Sequence, residues 1–102
     1  MSPQPETVRI RELNDLFRST FIGGKVFITP GVNALGDAFE SECVEKVQTH
    51  GDFAEGNDPH GEHDFGAFDV QGRRVFWKID YYDLSLAWGS ENPANAGQTT
   101  RV

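Results

Sequence analysis

One cysteine, Cys43, stands in 102 residues, so no disulfide closes within the chain and the fold rests on packing and hydrogen bonds. Long apolar runs are missing as well. Val26-Phe27-Ile28 and Val75-Phe76-Trp77 are three residues each, against about 20 for a membrane-spanning helix. The opening residues, MSPQPETVRIREL, lack the roughly 7 to 15 apolar residues of a secretory signal, and the expected compartment is the cytoplasm. Basic residues are few: nine Lys plus Arg face sixteen Asp plus Glu, for a net charge of −7. Nucleic-acid phosphates and anionic membranes carry the same sign, so direct contact with either is not expected. Nucleotide chemistry is unsupported too, because Gly23-Gly24-Lys25 has neither the glycine spacing nor the following Ser or Thr of a phosphate-binding loop.

What is present is enough for one folded domain spanning 1–102. Leu, Ile, Val and Phe number 25 of 102, above the roughly 20% below which a charged chain stays disordered. A domain of this size buries only about two-thirds of its extended surface, so the eight Phe and two Trp have to supply much of the core. The charge is unevenly spread. Residues 1–36 and 70–102 each carry three acids and four bases, whereas residues 37–69 carry ten acids against Lys46 alone. Such a segment attracts basic protein surfaces or metal cations.

Pro3 and Pro5 make residues 1–6 extended. Ile10, Leu13, Phe17 and Phe21, widened by Leu16, then recur at helical spacing and predict a helix over 7–21. After Gly23-Gly24, KVFIT at 25–29 has the β-branched and aromatic content of a short strand closed by Pro30-Gly31. Phe39, Cys43 and Val47, with Val44 beside them, predict an amphipathic helix over 37–49 whose other face holds Glu40, Glu42, Glu45 and Lys46. Residues 50–64, HGDFAEGNDPHGEHD, have no periodicity and read as a long acidic loop. Residues 65–70 and 73–81 flank Gln71-Gly72 and predict a hairpin. In it Phe68 faces Val75 and Gly66 faces Trp77, so Phe68, Val75, Trp77 and Ile79 share the core face. A further strand is expected at 84–88 and a polar loop at 89–97. The predicted fold class is α+β: two helices on one face of a four-stranded, mostly antiparallel sheet with a central hairpin.

Two clusters carry candidate chemistry. Within NDPHGEHD, His60, Glu62, His63 and Asp64 combine imidazoles and carboxylates suited to a divalent metal such as Zn or Mn. The histidines are three apart rather than the four of a zinc-protease helix, and no later ligand pair follows. An EF-hand fails because, with Asp52 as the first loop position, the third is Ala54. At the hairpin end, Lys78, Asp80, Tyr81, Tyr82 and Asp83 bring acids and phenols that serve as general acid and base only if burial moves them towards neutrality. Alternation puts Tyr81 at the core edge with its hydroxyl in water. Cys43, on the apolar stripe, reads as packing and not as a nucleophile.

The blocks GEHDFGAF (61–68) and VFWKIDYYD (75–83) resemble a family of small, mostly alphaproteobacterial proteins known as a domain of unknown function. IRELNDLFR (10–18), GGKVFITPGV (23–32) and NDPHGEHD (57–64) also resemble it. Family members continue beyond TTRV (99–102) for a short, mostly apolar stretch, so the resemblance implies that this chain is a shortened version and leaves a final helix open. The resemblance implies no activity.

The leading expectation is a non-catalytic module that binds a basic protein through Glu40, Glu42, Glu45, Asp52, Glu55 and Asp58. The partner class is a nucleic-acid-handling protein, engaged by mimicry of phosphate spacing as anti-restriction and anti-CRISPR inhibitors do. The rival is a metal-binding protein or metal-dependent enzyme centred on His60, Glu62, His63 and Asp64, with Asp80 or Tyr82 assisting. A homodimer through the face carrying Phe65 and Phe76 is compatible with either.

Overall fold

The computed structural model describes residues 4–53 and 58–102. The first helix, α1, spans Pro5–Thr20, with proline in its first turn, where no N–H is needed. It ends at Phe21, which takes left-handed backbone (φ 57°) and returns its N–H to Phe17 O at 2.6 Å. A single turn, α2 (Pro30–Asn33), is capped by Thr29, and α3 runs over Asp37–Thr49 as predicted. The hairpin strands are β1 (Phe65–Val70) and β2 (Arg73–Lys78). Two short strands follow, β3 (Tyr81–Tyr82) and β4 (Thr100–Arg101), with one 3₁₀ turn at Ala96–Gln98 between them.

The hairpin has the expected register: Phe65 faces Lys78, Gly66 faces Trp77 and Phe68 faces Val75. Gln71 (φ 52°) and Gly72 (φ 80°) both take positive φ, the requirement of the two-residue turn whose twist matches paired strands. On the outer face Asp69 and Arg74 pair at 3.2 Å and the Phe65 and Phe76 rings stack at 6.1 Å. On the inner face Val70, Val75, Trp77 and Ile79 are buried. Gly66 has to be glycine, since a Cβ there would meet the Trp77 indole, with Cε2 at 2.6 Å.

Two apolar groups make the core. Phe39 and Cys43 of α3 pack on Val70 and Val75, while Phe17 of α1 packs on Trp77 and Ile79, with Phe68 touching both groups. Fully burying such side chains contributes about 1.5 to 3 kcal/mol each.

The single four-stranded sheet is corrected. The strands form two separate pairs, β1 with β2 and β3 with β4, both antiparallel. Residues 25–29, expected as a strand, make none. Lys25 N–H reaches Arg101 O at 2.8 Å, beside a parallel bridge of Gly24 with Arg101, and Val26 and Phe27 stay 43% and 74% exposed. Strand propensity needs a neighbouring edge to be expressed, and beyond Lys25 this segment has no backbone hydrogen bond to such an edge among the described residues. The strand expected at 84–88 is overturned by turn chemistry. The Asp83 carboxylate accepts from Ser85 N and Oγ at 3.1 and 2.7 Å, and Asp83 O accepts from Leu86 N at 3.1 Å.

Candidate functional site

The inward face of α1 is not purely apolar. Ile10 and Phe17 are buried there, but so are Asn14 and Arg18, one helical turn apart, while the expected stripe member Leu16 is 60% exposed. Each buried polar residue organises a network.

Asn14 links the two ends of the chain. Its Oδ1 accepts from Arg101 Nε at 2.6 Å, and its Nδ2 donates to Tyr81 Oη at 2.8 Å and to Glu62 O at 2.9 Å. Tyr81 in turn donates its hydroxyl to Glu62 Oε1 at 2.7 Å, and the Arg101 guanidinium lies 5.3 Å over the Tyr81 ring. Donation thus runs from a cation through an amide and a phenol to a carboxylate, the direction that stabilises each link. Burial, then the hydrogen bond to Glu62, pushes the Tyr81 phenol far above its usual range. The hydroxyl is therefore held in protein and not in water, and it is held protonated, which removes it as a general base at neutral pH.

Arg18 joins α1 to the end of α3. Its guanidinium donates to Val47 O and His50 O at 2.8 and 2.7 Å, pairs with Asp15 at 3.2 Å, and lies over the Phe53 and Trp77 rings. Asp15 also meets His63 Nδ1 at 2.9 Å. On its other side His63 faces Asp58, whose carboxylate accepts His63 N–H at 3.1 Å and lies 3.5 Å from Nε2. Phe53 stacks on the imidazole at 3.8 Å, the planes 5° apart. An Asp–His pair of this kind orients an imidazole, yet both ring nitrogens already face carboxylates.

The candidate metal ligands do not meet at one point. His60 is exposed, Glu62 reaches Tyr81, His63 reaches Asp15 and Asp58, and Asp64 uses its carbonyl for Ile79 N–H at 2.7 Å. Among the described residues no three His, Cys, Asp or Glu side chains are arranged to hold a metal ion. At the hairpin end Asp80 pairs with Lys78 at 3.0 Å, Tyr82 is half-buried in β3, and the Asp83 carboxyl is held below its usual range by its hydrogen bond from Ser85.

The acidic candidates divide. Asp58 is turned inwards, 9% exposed, so it is not part of an outward surface. Glu55 lies outside the described residues. Asp52 is exposed, its carbonyl 3.2 Å from His50 Nε2. On α3 Glu45 is exposed and Glu40 and Glu42 are half-buried, and none is in an ion pair among the described residues. Their field is felt inside the helix: burial, then Glu42 and Glu40, push the Cys43 thiol up.

Reading the sequence missed Asn14, Asp15, Arg18 and Arg101. The available signal was the pair of polar residues at the spacing of α1's apolar stripe, which marks buried hydrogen bonding when the rest of the face is core. Nothing local marked Arg101.

Among the described residues no helix is long and apolar enough to cross a membrane. No curated protein and no solved structure matches the chain. The expected kinship with a family of unknown function holds over residues 28–102, which leaves α1 outside the match. The chain belongs to the family described as "Protein of unknown function (DUF3768)".

Proposed function

We propose that the protein is a non-catalytic binding module that presents α3, with Glu40, Glu42 and Glu45, to a basic surface on another protein. The observation that carries this reading is the contrast between two sets of ionised groups. Asp15, Asp58, Glu62, Arg18 and Arg101 are spent on internal hydrogen bonds, whereas the α3 carboxylates have no cationic partner among the described residues. Unpaired acids along one helix supply steering and specificity towards a cationic groove. A nucleic-acid-handling protein fits that chemistry, since its phosphate-binding groove accepts carboxylates spaced along a rod.

The test compares the wild-type chain with the E40K/E42K/E45K variant as bait, at low and high salt. The expected result is capture of a protein with a basic nucleic-acid groove, lost on charge reversal and weakened steeply as salt rises. Capture indifferent to both treatments would remove the reading.

A further inference from the structure

We draw no further inference here: the strongest candidate, the apolar surface patch of Leu84, Leu86 and Trp88 on the loop after β3, is exposed and held by turn hydrogen bonds to Asp83, but nothing in the structure shows what covers it.

Discussion

His63 Nδ1 lies 2.9 Å from Asp15 Oδ1, which fastens the end of the acidic loop to the middle of α1 across 48 positions of sequence. The same imidazole covers the buried Asp58 carboxylate and stacks on Phe53. Replacing His63 with Ala should leave Asp58 buried with fewer partners and cost about 1 to 3 kcal/mol. A urea midpoint unchanged from wild type would show that the loop is not held by this residue.

Tyr81→Phe removes the hydroxyl that accepts from Asn14 and donates to Glu62. Leaving each of those groups short of one partner should also cost about 1 to 3 kcal/mol at neutral pH. The pH dependence has a definite sign. The phenol's range is raised in the folded chain, whereas an unfolded tyrosine ionises near about pH 10. Its contribution is therefore complete below about pH 10 and is lost as the pH climbs above it, because only the unfolded state then releases the proton. Denaturation followed between neutral and strongly alkaline pH should show wild type losing stability faster than Tyr81→Phe; parallel curves would contradict this.

Gly66→Ala puts a methyl group into the Trp77 indole. Neither partner can move freely, since Gly66 lies in β1 and the buried Trp77 packs with Phe17 and Ile79. Overpacking of this kind costs about 1 to 3 kcal/mol. The near-ultraviolet circular dichroism of Trp77 should change with it, and an unaltered spectrum at unaltered stability would argue against the packing described.

Charge reversal on α3 has a readout inside the helix. With Glu40 and Glu42 changed to Lys, the thiolate of Cys43 loses two repulsive neighbours, so the thiol should titrate lower than in wild type. The burial contribution stays. Ultraviolet titration of the thiolate checks this, and an unmoved titration would place the α3 carboxylates too far from Cys43 to act on it.

Helix periodicity around Phe39, Cys43 and Val47 and the Gln71-Gly72 turn determined α3 and the hairpin register from sequence alone, because both are set by contacts a few residues apart. Which acids face outwards was only partly legible: Glu45 follows from the helix period, while Asp58 could be placed inside only once His63 was brought beside it. The tertiary structure alone decided that 25–29 makes no strand, that the strands split into two pairs, and that Asn14, Glu62, Tyr81 and Arg101 meet. These outcomes depend on which distant backbone edge or polar group arrives at a given place, and residues 87 positions apart leave no local pattern by which their meeting can be read.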